Sequence, residues 1–147
     1  MPSKPPFHKQ ETRYSCVPAC LRMVLGSFGI DIPEGELRQR CDCTPYSGAD
    51  ALMVVDVARQ FGFAGTRKHT MTLDELRVLL TDGHHPIVFV HLGPIDGIED
   101  VHAVVVVGAS QRQIIVLDPL KGERSLPLQA FSTAWAMRHN LAIIVKR

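Results

Sequence analysis

The apolar residues change period partway along the chain, and that change limits what the chain can fold into. Up to Gly83 they recur mostly at helical spacing, and beyond it they gather in short β-branched runs. Val17, Leu21, Val24 and Phe28 mark a first helix. Ser15 stands at its N-cap, and Pro18 fits the first turn, where a missing N–H removes no helical bond. Gly26 and Gly29 are read as its stop. Asp31-Ile32-Pro33 leads into a short helix from Glu34 to about Arg40, with Leu37 facing inward, and a loop runs from Cys41 to Tyr46. Ser47 with Asp50 resembles a capping box ahead of Ala51, Val54, Val55, Ala58 and Phe61, a stripe closed by Gly62. Phe63 to His69 reads as a strand. Thr72 and Glu75 form a capping box for a helix carrying Leu73, Leu76, Leu79 and Leu80 and ending at Gly83.

Beyond Gly83, Ile87 to Leu92, Ala103 to Val107, Ile114 to Leu117 and Leu141 to Val145 predict strands. Four consecutive valines, Val104 to Val107, predict a strand buried on both faces. Phe131 and Trp135, at i and i+4, place a last helix from about Leu128 to Arg138 against the sheet. The expected fold class is α+β, with a helical N-terminal half and a mostly β C-terminal half. Residues 1–9 carry three prolines and read as an extended arm, and residues 10–147 as a single domain.

Charge and composition remove several classes of function. The net charge is +1 with no long run of one sign, which points away from nucleic acid and from acidic membrane surfaces. No window approaches the ~20 apolar residues of a membrane helix. MPSKPPFHK has no apolar core of a secretory signal, so the four cysteines are expected as reduced thiols in a cytoplasm.

Chemistry is concentrated in a few positions. Cys16 opens the first helix, where unpaired backbone N–H groups and the positive end of the helix dipole favour an anion, as a thiolate nucleophile requires. A small buried hydrophobe is the plainer reading of a cysteine. His102 begins the valine strand and Asp118 ends the next, with a turn near Ser110-Gln111-Arg112 between them. If the two strands pair about that turn, both side chains lie nearly opposite on one face, within reach of an imidazole–carboxylate hydrogen bond. Such a carboxylate holds one ring nitrogen and leaves the other to take a thiol proton. The alternative is a histidine that caps a strand and an Asp-Pro that starts a turn. Gln10, six residues before Cys16, is an uncharged amide donor of the type an oxyanion hole uses, although spacing alone does not separate it from a surface glutamine.

Gln10, Cys16, Pro18-Ala19-Cys20-Leu21 and Met23 together resemble the nucleophile motif of the papain-like cysteine peptidases that remove double-glycine leaders from bacteriocin precursors. LRQRC and SGADALMVVDVARQFGF resemble that family's second and third helices. HAVVVVG resembles its histidine strand, LDP its aspartate strand, and FSTAW the helix that follows. Val17, where exporter-fused members usually carry glycine, makes the chain similar to the free-standing branch. The resemblance implies a papain-like fold and a peptide or protein substrate. It also implies Cys16 as nucleophile, His102 as base, Asp118 as orienter and Gln10 as oxyanion donor, with a partner exporter left open. No cofactor and no metal are expected. The alternatives are an acyltransferase with the same Cys-His-Asp triad and a catalytically silent peptide-binding module.

Cys16, Cys20, Cys41 and Cys43 could supply four zinc ligands, but their C-x3-C and C-x-C spacings differ from the usual C-x2-C knuckles, and one pair falls within a helix. Cys20 reads as a packing residue, and His84, His85 and His91 as structural or solvated histidines.

Overall fold

The computed structural model describes residues 3–45, 48 and 50–147. Along the chain run α1 (Cys16–Ser27), α2 (Glu34–Arg40), α3 (Ala51–Gln60), β1 (Arg67–Thr70), α4 (Leu73–Thr81), β2 (Ile87–His91), α5 (Gly93–Asp96), β3 (Val101–Ala109), β4 (Gln113–Asp118), β5 (Gly122–Pro127), α6 (Leu128–Ala136) and β6 (Leu141–Ile144). The strands form one six-stranded sheet in the order β1-β6-β2-β3-β4-β5. All its pairings are antiparallel.

Helices cover both faces of that sheet. Alternation along β3 divides the core: Ala103 and Val105 pack with α1, α2 and α3 through Leu21, Leu37 and Val54. Val104 and Val106 pack with α4 and α6 through Leu76, Phe131 and Trp135. The valine run is therefore a central strand buried on both sides, as its composition predicts. Phe131 and Trp135 stack with centroids 5.5 Å apart, and the indole N–H donates to the Leu141 carbonyl at 2.9 Å. Among the described residues no helix is long and apolar enough to cross a membrane.

Several boundaries differ from the sequence reading, each for a local reason. Gly29, at φ +82°, ends α1 in a left-handed turn, with its N–H on the Gly26 carbonyl and the Ile30 N–H on the Leu25 carbonyl. Gly26 does not stop the helix. It lies inside α1, where an added Cβ would come 2.7 Å from the Pro6 ring, so its role is to let the N-terminal segment lie against the helix. Asp50 is itself the N-cap of α3, accepting from the Leu52 N–H at 2.7 Å, and Ser47 falls outside the described residues. The Thr72–Glu75 capping box of α4 is present in full. Phe63 is buried in the turn after α3 instead of in a strand, and β1 starts later, at Arg67. Cys41 is the buried C-cap residue of α2, not a loop thiol.

α5 and β5 have no counterpart in the sequence reading. α5 is a single turn, and β5 (GERSLP) is an edge strand whose polar alternation hides it.

Candidate active site

α1 begins at Cys16, and its first turn has unusual backbone chemistry. Ser15 occupies the N-cap but its side chain caps nothing. The hydroxyl instead turns back to donate to the Thr12 carbonyl and accept from the Thr12 N–H, both at 3.1 Å. Pro18 has no N–H. The amides of Cys16 and Val17 are thus left facing the helix mouth without a side-chain acceptor from Ser15.

The segment leading to Cys16 is braced from two sides. Gln10 is buried, and its backbone N–H donates to the Pro119 carbonyl at 2.7 Å, next to Asp118. One amide hydrogen of Gln10 goes to the Thr12 carbonyl at 2.7 Å, while Oε1 finds no partner among the described residues. On the other side Glu34, beside Ser15 and 1% exposed, accepts from the Glu11 N–H at 3.0 Å through Oε1, while Oε2 finds no hydrogen-bond partner among the described residues. Its carboxyl is pushed up by burial, and Arg38 lies 3.6 Å away. Neither Glu34 nor Arg38 carried a signal in the sequence beyond a helical i,i+4 pair.

His102 is the second residue of β3, opposite Val90, and Asp118 is the last of β4. Both are buried. His102 Nε2 and Asp118 Oδ1 are 2.8 Å apart. The loop between the strands is only Gln111-Arg112, closed by the Ser110 N–H on the Gln113 carbonyl. A regular ladder from that turn would set Asp118 opposite Val105 and put His102 on the other face. The register shifts between Val106 and Gly108, so Val105 pairs with Leu117 and Asp118 falls in line with Val104. His102 is then the diagonal neighbour of Asp118 on the same face.

Alternation also puts His102 on the face turned from α1. It lies at the end of the sheet, where α1 begins, and the Cys16 side chain there is near enough to act on its ring. With Nε2 on Asp118, Nδ1 is the nitrogen left for the thiol.

The electrostatics of the pair are decided by hydrogen bonds. Burial is the largest single influence on His102 and works against its charge, but Asp118, through its hydrogen bond, and the neighbouring Cys16 together raise the ring to about 9. Burial likewise works against the Asp118 carboxylate, yet His102, the Leu120 N–H and Arg124 hold it at about 2. Cys20, one turn further along α1, is fully buried, and burial drives its thiol well above the usual value. Burial pushes Cys41 up to about 12. Cys43, also raised by burial, donates to the Tyr14 carbonyl at 3.5 Å.

All four cysteines are free, and among the described residues no group of His, Cys, Asp and Glu is placed to hold a metal ion. His91 accepts from the Gly93 N–H and sits 3.7 Å from Glu99. His84 and His85 lie apart from the site, before β2, with their Nδ1 atoms buried and unpartnered among the described residues.

A helix that opens on a cysteine, set against an antiparallel sheet that brings a histidine and an aspartate to it, defines a papain-like α+β fold. A double glycine motif protease from the AMS/PCAT transporter, solved in complex with the leader peptide, shares that fold with a TM-score of 0.79 at 22% identity, over 97% of this chain and 91% of the other. The peptidase domain of Streptococcus ComA, a bi-functional ABC transporter involved in the quorum sensing pathway, matches with a TM-score of 0.74 at 26% identity, over 95% of this chain and 97% of that domain. No curated protein matches. The chain belongs to the Peptidase C39 family, whose model matches residues 4–147.

Proposed function

We propose that this chain is a cysteine peptidase that hydrolyses a peptide bond through a thioester acyl-enzyme. The observation that carries this reading is the His102 ring, held by Asp118 on one nitrogen, with the thiol at the mouth of α1 near enough to act on it. His102 takes the Cys16 proton, and the sulfur attacks the scissile carbonyl carbon. The oxyanion that forms is met by the Cys16 N–H and by the second amide hydrogen of Gln10. His102 then gives its proton to the leaving amine as the C–N bond breaks. Water, deprotonated by the same ring, cleaves the thioester and returns the free thiol. Asp118 fixes the ring and stabilises the imidazolium in both halves.

The substrate is a peptide cut after glycine, in keeping with the double glycine motif and leader peptide named for one relative. An exporter that presents such a peptide is the partner that fits, since both relatives come from transporters. The site is tested by incubating the protein with peptides that end a leader-like segment in Gly-Gly and mapping products by mass spectrometry. Cleavage after glycine, with a transient Cys16-linked acyl adduct, is expected. Intact peptide beside a stable acyl adduct that only an added amine releases would identify acyl transfer instead. No adduct at all would leave a peptide-binding module.

A further inference from the structure

Asp118 has a second oxygen, and its partner lies outside the Cys-His-Asp arrangement. Oδ1 takes His102 Nε2 and the backbone N–H groups of Leu120 and Lys121, at 2.8 and 3.3 Å for the latter two. Oδ2 accepts from Arg124 Nη1 at 3.2 Å. The same guanidinium grips Asp96 at two points, Nη1 to Oδ2 at 3.1 Å and Nη2 to Oδ1 at 2.7 Å. Arg124 projects from β5, where it pairs with Val116, and Asp96 closes α5. One side chain therefore spans from a helix that precedes the His102 strand to the carboxylate that holds His102.

We propose that Arg124, itself fixed by Asp96, is a positioning residue that locks the plane of the Asp118 carboxylate so that Oδ1 stays on His102. This inference rests on the peptidase reading above. A carboxylate turns easily about its last torsion, which is broad and two-fold. Oδ1 is anchored by backbone groups, but only a contact on Oδ2 removes the remaining freedom. A planar guanidinium supplies that contact in a fixed geometry, as a lysine cannot.

Asp96 has a separate part. An arginine bonded to Asp118 alone would draw on the charge that His102 needs, whereas the two-point grip of Asp96 offsets the guanidinium charge. Lys121 adds a second cation 3.6 Å from Asp96. The other titratable groups around Asp118 are His102 on β3 and Cys16 and Cys20 on α1. The His91–Glu99 pair lies further out along β2, and α6 carries no charged side chain.

The test is the pH profile of Cys16 alkylation by iodoacetamide, measured beside kcat and KM on a cleavable peptide. In Arg124→Gln, Asp118 accepts a proton at higher pH, a neutral carboxyl no longer supports the imidazolium, and the acid limb moves up by about half a pH unit or more. The maximal rate and kcat fall roughly tenfold with KM unchanged, because orientation is lost and substrate contacts are not. Arg124→Lys keeps the charge without the fork, so it restores the acid limb but not the maximal rate. Asp96→Asn leaves the guanidinium charge uncompensated beside Asp118, so the limb moves the other way, by less. Superimposable profiles for wild type and Arg124→Gln, whatever the loss in stability, would overturn the proposal and leave Arg124 as a fastening between α5 and the sheet. If Arg124→Gln does not fold, an unshifted limb in Asp96→Asn overturns it equally. A wild-type protein whose Cys16 is not the fast thiol would instead count against the peptidase reading itself.

Discussion

Cys16 and Cys20 stand one helical turn apart on α1 and meet opposite surroundings. Cys16 has His102 beside it, while Cys20 is sealed among core side chains, where a charged sulfur is costly. At pH 6 to 7 a small alkylating reagent is expected to label Cys16 first, as read by peptide mapping, and His102→Ala to slow that labelling. Cys20→Ala should cost about 1 kcal/mol of stability and spare the chemistry. Fast labelling at Cys20 would reverse the assignment. Asp118→Asn keeps the shape but favours the wrong imidazole tautomer, and turnover should fall by at least ~10²-fold.

The same two residues set a pH window for stability. The Asp118 carboxyl is lowered from 3.8 to about 2, so its contribution is present above the unfolded value and is lost as pH falls through about 2. The His102 ring is raised from 6.5 to about 9, so its contribution is whole below 6.5 and is lost as pH rises through about 9. The gap in Tm between wild type and Asp118→Asn should be widest between about pH 4 and 6.5. A gap that grows steadily toward pH 9 would contradict the assignment of charge.

Two backbone devices, at the level of the elements, decide whether these side chains meet. The first is the bulge in β3. Deleting Val107 removes the bulge but leaves Val106 on Val116, so Asp118 stays in line with Val104 on the face of His102 and only the tip of the hairpin turns over. Cys16 labelling in that variant should stay within a few-fold of wild type while far-UV circular dichroism keeps the sheet signal. A drop to the rate of His102→Ala would show that the register of these two strands is fixed elsewhere. The second is the end of α1. Gly29 holds φ +82°, so Gly29→Ala should cost about 1 kcal/mol in urea denaturation. Reading Gly26 as a stop failed because a glycine that admits a neighbouring chain looks the same in sequence as one that bends its own.

Across the whole molecule the sheet is a partition between two cores. Ile87 packs with the α1 side and Ile114 with the α4 and α6 side. Ile87→Val and Ile114→Val should each cost about 1 kcal/mol. Since the pair share no cluster, the double variant should be additive within about 0.5 kcal/mol by chemical denaturation. A larger coupling would mean that the sheet transmits packing strain from face to face.

The sequence by itself determined which elements exist where burial is one-sided or complete: α1, α3, α4 and β3 announce themselves because the core demands apolar residues at a fixed period. It also singled out Cys16, His102, Asp118 and Gln10, because helix mouths and strand ends are visible as breaks in that period. It was silent where the partner, not the pattern, makes the structure. β5 is a strand only because β4 pairs with it, and α5 is one turn held through Asp96 and Arg124. Glu34 and Arg124 look like surface charges until the fold brings Ser15 to one and Asp118 to the other. The bulge that sets His102 and Asp118 on one face lies within an unbroken run of valines. Side-chain period records which way a residue points, but a register shift is settled only when the second strand docks.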